Sequence, residues 1–194
     1  MKTAVWKRNV FWGLLIAISA GLIGSFSIRI WEIDLSVAPG IGGDGTLILM
    51  LSKSIDENGI WGIFSNSYIG APLGSTLIDV PFLDYLLVVI IWISNRIGGG
   101  YFEGYYVLYI LTFITTAISM YFLLLRFQFS QWVRFVISLI FCAAPYHFYR
   151  SFGHITLSNY LTVPLGVYLA FYILEEDCNI IEKNKKKKKN KYIK

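Results

Sequence analysis

Charge is scarce in this sequence. Of 194 residues only 15% are Asp, Glu, Lys or Arg, where an average soluble domain has about a quarter. Hydrophobic residues make up 56% of the chain and aromatics 17%, and the mean hydropathy is +0.58. So little charge excludes a disordered chain, a nucleic-acid-binding arm and most soluble enzymes. Cysteine is nearly absent as well. Cys142 lies in an apolar run and Cys178 in the polar tail. Two thiols so far apart, without metal-ligand spacing, exclude a disulfide framework and a thiolate metal site.

What charge there is sits unevenly. The formal net charge of +5 comes from the last dozen positions, where eight of the lysines fall between Lys183 and Lys194. Without them, nine basic residues face twelve acidic ones. The rest of the chain is an apolar, slightly acidic membrane sequence.

Lys2, Lys7 and Arg8 precede an apolar run from Val10 to Ile28. At ~1.5 Å per residue that run reaches about 28 Å, enough to cross a bilayer core. A cleaved signal peptide is the competing reading. The run continues past the small residues Ser19 and Ala20 to Arg29, which favours a retained anchor helix. Further apolar segments cover 82–93, 104–125, 131–148 and 155–174. The first of these is too short to cross, and Asp84 inside it would be costly at the bilayer centre. Parity discards the same segment. Basic residues at the N-terminus place it in the cytoplasm, and four spans then bring Arg126, Arg134 and the lysine tail to that side.

The expected fold class is therefore all-α and integral to the cell membrane. Transmembrane helices fall at 9–29, 104–125, 131–148 and 155–174, with Pro164 kinking the last. Residues 30–103 form a long extracytoplasmic loop with interfacial helices at 45–55 and 82–95. Residues 1–174 make the membrane domain, and 175–194 a cytoplasmic, Lys-rich tail. The external loop holds Glu32, Asp34, Asp44, Asp56, Glu57, Asp79, Asp84 and Glu103 against Lys53 and Arg96. A plain connection between spans needs only a few residues, so chemistry is expected on this face.

Three features stand out there. The first is Gly40-Ile41-Gly42-Gly43-Asp44-Gly45, where flanking glycines allow a tight turn and close approach to the Asp44 carboxylate. It is not a phosphate loop, because no strand precedes it and no Gly-Lys-Ser/Thr follows. A plain turn is the bland alternative. The second is Gly70-Ala71-Pro72-Leu73-Gly74, followed by Ile78-Asp79-Val80-Pro81. Asp79 can cap the Pro-led helix after it, or serve as a second carboxylate beside Asp44. The third is Pro145 to His154, which contains both histidines of the chain. If this stretch is helical, His147, Arg150 and His154 share one face. That face could bind a phosphate through Arg150 with imidazole donors beside it. A zinc site on the two histidines and Asp44 is an alternative. Interfacial polar residues with an aromatic headgroup belt are another.

The order of these features resembles the N-terminal module of the GT-C superfamily of polytopic glycosyltransferases, which use polyprenyl-phosphate sugars. It is most similar to large bacterial membrane proteins with a Gly-Asp pair, Gly-Ala-Pro leading to Asp-x-Pro, and Pro-Tyr-His-x-x-Arg-x-x-x-His. Here these are Gly43-Asp44, Gly70-Ala71-Pro72, Asp79-Val80-Pro81 and Pro145 to His154, and the likeness covers residues 5–175. The resemblance implies that Asp44 acts as base or metal ligand and that Asp79 is a second acidic site residue. It implies that Arg150 and His154 lie by the lipid phosphate, where His147 would join them. Gly45 stands where several such families have the second acid of an Asp-Glu pair. No cofactor is therefore assigned, and a divalent metal stays an alternative.

The implied function is transfer of a sugar from a polyprenyl-phosphate donor to an extracytoplasmic glycan or lipid acceptor. The implied partners are membrane lipids and the lipid-linked sugar. The contrasting reading is a non-catalytic scaffold or accessory subunit that handles lipid-linked sugars, needing Arg150 but not Asp44. A transporter fits less well, since no ionisable residue lies deep in the spans and no repeat is visible. The lysine tail suits an anionic membrane surface. It lacks the aromatic interleaving that nucleic-acid binding would need. Because the resembling proteins continue with further helices, the sequence is expected to be the first four spans of a larger one. The run Lys185 to Lys189 would mark an A-rich stretch of gene where the reading frame slipped.

Overall fold

A computed structural model describes residues 2–39, 42, 44–64, 72–76 and 85–175. Asp79 and Asp84, the Gly70-Ala71 pair, Gly40, Gly43 and the lysine tail, with Cys178, lie outside the described residues. Those described form helices and turns, with no strand among them. In chain order the helices are α1 (Lys2–Ile28), α2 (Asp44–Asn58), α3 (Tyr85–Gly98), α4 (Tyr101–Leu124), α5 (Gln131–Cys142), α6 (Pro145–Arg150) and α7 (Ile155–Ser158). A further helix, α8, covers 162–175.

Among the described residues, four stretches are long and apolar enough to cross a membrane: Thr3–Ile28, Tyr101–Leu124, Gln131–Arg150 and Phe152–Glu175. The first two are single helices. The third is interrupted at Ala143 and Ala144, where Pro145 opens α6 at its first helical position. Proline suits that position because its missing N–H has no partner to lose there. The fourth stretch breaks at 159–161, between α7 and α8. Pro164 was expected to kink this span. It lies instead in the first turn of α8, where it is compatible with helix, and the break precedes it.

The helix α4 is the axis of the fold. Over half of its most apolar window is buried, against 17% for each of the other three spans. It packs against α1, α2, α3, α5 and α7. Gly24 of α1 faces the Phe113 ring and the Ile110 backbone of α4, so the two helices approach closely. Around an apolar core, the spans also bury hydroxyls and expose large apolar side chains. Thr112, Thr116, Ser119, Ser138 and His147 are buried, whereas Phe11, Leu14, Ile18, Trp132, Val136 and Ile140 are exposed. Apolar side chains outside and hydroxyls between helices are the arrangement lipid favours, where polar contacts hold helices together.

The shorter helices pack on one end of this bundle. In α2, Ile48, Leu51, Ser52 and Ile55 are buried, the i, i+3, i+4, i+7 spacing of one helix face. Asn95 of α3 secures that face. Its Nδ2 donates to the Ser52 carbonyl at 2.9 Å, and Ser52 Oγ donates to Asn95 Oδ1 at 2.9 Å. The tight α3–α4 hairpin requires Gly104. A Cβ there would meet the Asn95 backbone within 3 Å. At the far end of α4, Tyr121 OH donates to Gln131 Oε1 at 3.1 Å, and Gln131 Nε2 donates to Asn9 Oδ1 at 2.9 Å. That end also carries Arg126 and Arg134. Arg126 pairs with Glu175, and Arg134 donates to the Phe127 carbonyl.

Candidate functional site

Asp44 is the first residue of α2, so its negative charge meets the positive end of the helix dipole. Its Oδ2 lies 3.0 Å from His154 Nδ1. Both side chains are partly open to solvent, at 38% and 41% exposure. A carboxylate accepts hydrogen bonds and does not donate them. Nδ1 therefore carries the proton, and Nε2 is the basic atom of the neutral ring. A carboxylate that fixes one imidazole tautomer is an arrangement suited to general base chemistry.

The segments that carry this pair are held by buried contacts. His154 ends the 3-10 turn Phe152–His154, and Gly45 of α2 abuts that turn. A Cβ on Gly45 would clash with the Phe152 carbonyl oxygen. Tyr105 of α4, fully buried, donates its hydroxyl to the Gly45 carbonyl at 3.2 Å and to the Phe152 carbonyl at 3.0 Å. The Phe152 ring stacks on Tyr109 and Tyr105, with centroids 4.6 and 5.9 Å away.

The continuous helical face expected across His147, Arg150 and His154 does not form. The helix α6 stops at Arg150, and Ser151 turns the chain with φ +39° and ψ −143°. Left-handed backbone of this kind is strained for a residue with a Cβ. The turn sends His154 to Asp44 and separates it from the α6 face.

His147 points into the bundle. It is fully buried and stacks on Phe113 with centroids 3.7 Å apart. Its Nδ1 lies 2.9 Å from the Cys142 carbonyl and its Nε2 2.7 Å from Thr112 Oγ1. Both ring nitrogens are thus engaged within the bundle. Arg150 is half-buried, with its guanidinium over the Tyr146 ring at 5.3 Å and the Tyr149 ring at 5.7 Å. Its Nε is buried and has no hydrogen-bond partner among the described residues. Asp79 lies outside the described residues.

Of the residues singled out by sequence, then, Asp44 and His154 meet, and His147 takes a place in the core. No group of three or more His, Cys, Asp or Glu converges among the described residues, so the zinc set of His147, His154 and Asp44 is not assembled. An ion at the Asp44–His154 pair would take one oxygen and one nitrogen donor from them. Sequence reasoning missed Tyr105 and Phe152. Tyr105 sits among Tyr101, Phe102 and Tyr106, a pattern that reads as an interfacial aromatic belt and carries no sign of a specific bond.

Comparison with family models, curated proteins and solved structures finds no match to this chain.

Proposed function

We propose that this chain is the N-terminal membrane module of a glycosyltransferase. The reaction is transfer of a sugar from a polyprenyl-phosphate donor to a glycan or lipid acceptor outside the cytoplasm. The observation that carries the reading is the contact between Asp44 and His154, a partly exposed carboxylate–imidazole pair beside the Tyr105 end of the membrane-length helix α4. In this reaction the acceptor hydroxyl attacks the anomeric carbon. A new glycosidic C–O bond forms, the bond from that carbon to the phosphate oxygen breaks, and polyprenyl phosphate leaves with the bonding electrons. The hydroxyl proton goes to His154 Nε2, with Asp44 orienting the ring and offsetting the imidazolium charge. Arg150 of α6, across the Ser151 turn from His154 and packed over two tyrosine rings, is assigned as the cation for the departing phosphate on its charge and its place in the same connection. The prenyl chain stays in the bilayer, which explains why the polar pair adjoins lipid-facing helices.

The sidedness belongs to the same proposal. Arg126 and Arg134 lie at the end of the bundle opposite Asp44. With basic residues facing the cytoplasm, the pair faces outward.

The test is transfer from a radiolabelled polyprenyl-phosphate sugar in membranes containing the full chain. Asp44→Asn and His154→Ala are each expected to reduce transfer by about a hundred-fold or more, and Arg150→Ala to weaken donor binding. Full transfer in both Asp44→Asn and Arg150→Ala would overturn the proposal. Binding of the donor by wild-type chain, abolished by Arg150→Ala and without transfer, would establish the accessory, lipid-linked-sugar-handling role in its place.

A further inference from the structure

The pair at the site is made of two segments that have no local reason to meet. Asp44 opens α2, and His154 closes a three-residue turn that follows four further α-helices, α3 to α6, in the chain. Between them stands a single phenol. Tyr105 is fully buried, and its hydroxyl reaches a carbonyl on each segment: Gly45, next to Asp44, and Phe152, two residues before His154. The one hydroxyl proton serves both carbonyl oxygens. The Gly45 position is also so close to the Phe152 carbonyl that a Cβ cannot be added. Removing the hydroxyl therefore takes away the donor that both segments share, at a place where the segments already abut.

We propose that Tyr105 is a positioning residue that sets the distance between Asp44 and His154 by clamping the Gly45 and Phe152 carbonyls. The clamp rests on geometry alone. Its effect on sugar transfer rests on the function proposed above. Tyr109 supplies an internal contrast. Its ring also stacks on Phe152, but its hydroxyl pairs with Ser27 Oγ of α1 at 3.1 Å and touches neither segment's carbonyl.

The experiment measures the dipolar coupling between Asp44 13Cγ and His154 15Nδ1 by solid-state NMR, on the full chain in lipid nanodiscs. Wild type and Tyr109→Phe are expected to show strong coupling. Tyr105→Phe, which removes one oxygen and keeps the ring, is expected to lose at least half of it. Gly45→Ala, which pushes the segments apart with Tyr105 intact, is expected to do the same. Helix content and unfolding temperature, followed in parallel, identify a variant that fails to fold. Should Tyr105→Phe not fold, 4-fluorophenylalanine at position 105, which fills the hydroxyl's place without a donor, replaces it, and an unchanged coupling there overturns the clamp. An unchanged coupling in folded Tyr105→Phe would overturn the clamp. So would equal losses in Tyr105→Phe and Tyr109→Phe. If the wild-type chain transfers sugar, Tyr105→Phe is expected to lower the rate by about ten- to a hundred-fold without changing donor binding, as displacement of a reacting group does. Absence of transfer in wild type bears on the proposed function and leaves the coupling result to judge the clamp.

Discussion

The His147 ring lies almost parallel to the Phe113 ring, 3.7 Å away and 15° from coplanar, and its two nitrogens are bonded to α4 and α5. A histidine so placed joins three elements. Phe113 and Thr112 belong to α4, the Cys142 carbonyl ends α5, and His147 itself stands in α6. It fixes the bend at Ala143 and Ala144, from which the connection to α7 departs.

His147→Ala is accordingly expected to destabilise the protein by about 3 kcal/mol. The loss combines a cavity beside Phe113 with two buried hydrogen bonds, leaving Thr112 Oγ1 only its bond to the Tyr109 carbonyl and the Cys142 carbonyl only a long one from Tyr160 OH. Denaturant unfolding in mild detergent measures it. A loss under about 0.5 kcal/mol would show that the ring is not a structural member of the bundle.

Asn95 is expected to matter in the same way for the helix that carries Asp44. Its side chain makes both bonds to Ser52 at the α2–α3 contact. Asn95→Ala should cost about 1–3 kcal/mol by removing both bonds at this buried contact, which leaves Ser52 Oγ only a 3.5 Å contact with the Tyr101 carbonyl. Gly104→Ala should cost a similar amount by forcing α4 away from Asn95. Hydrogen exchange should show the loss first in α2 and α3. Protection unchanged in both helices would contradict this account.

One carboxylate outside the spans has a readable pH response. Asp34 Oδ1 accepts from Ser36 Oγ at 2.7 Å and from the Ser36 backbone N–H at 3.0 Å. Both bonds favour the ionised form and hold its pKa below the ordinary 3.8. A depressed carboxylate contributes stability that is complete above its unfolded pKa. That contribution is lost as pH falls through the lower folded value, so the 34–36 turn opens only in acid. Carboxyl 13C titration should show the depression, and Ser36→Ala should shift the Asp34 midpoint upward. A midpoint identical in both proteins would remove the assignment.

In the orientation proposed above, four crossings return the chain to the side of its N-terminus. A reporter enzyme joined after Lys194 is expected to be active there, and one inserted in the 30–39 stretch to be active outside. Activity of the first reporter on the outer face would sink this orientation.

How far these features are legible in the chain depends on their range. The runs around Leu14, Ile114, Ile140 and Leu169 each report a membrane-length helix, because matching a run to bilayer thickness is a local property. The short helix around Ile91 was legible for the same reason, as too short to cross. The boundaries were less so. The break at 143–144 falls at two alanines inside an apolar run, and the one at 159–161 begins at Ser158 and Asn159 within a span that is apolar on average. Hydropathy therefore reads across them, and the backbone there follows tertiary bonds such as Tyr160 OH to the Phe141 carbonyl, at 2.7 Å.

The site divides along the same line. Asp44 was conspicuous as an acid between glycines, and His154 as one of two histidines in an aromatic connection. That they touch could not be read, since they stand 110 positions apart. The contact needs α2 folded against α4 and a strained turn at Ser151 to aim the imidazole. His147 and His154 look alike in the sequence, yet one is stacked in the core and the other faces solvent beside a carboxylate. Composition and run length by themselves determined a helical membrane chain with four potential spans, because lipid acts on each segment separately. Only the tertiary structure decided which polar groups meet, because those meetings depend on helix packing that no single segment encodes.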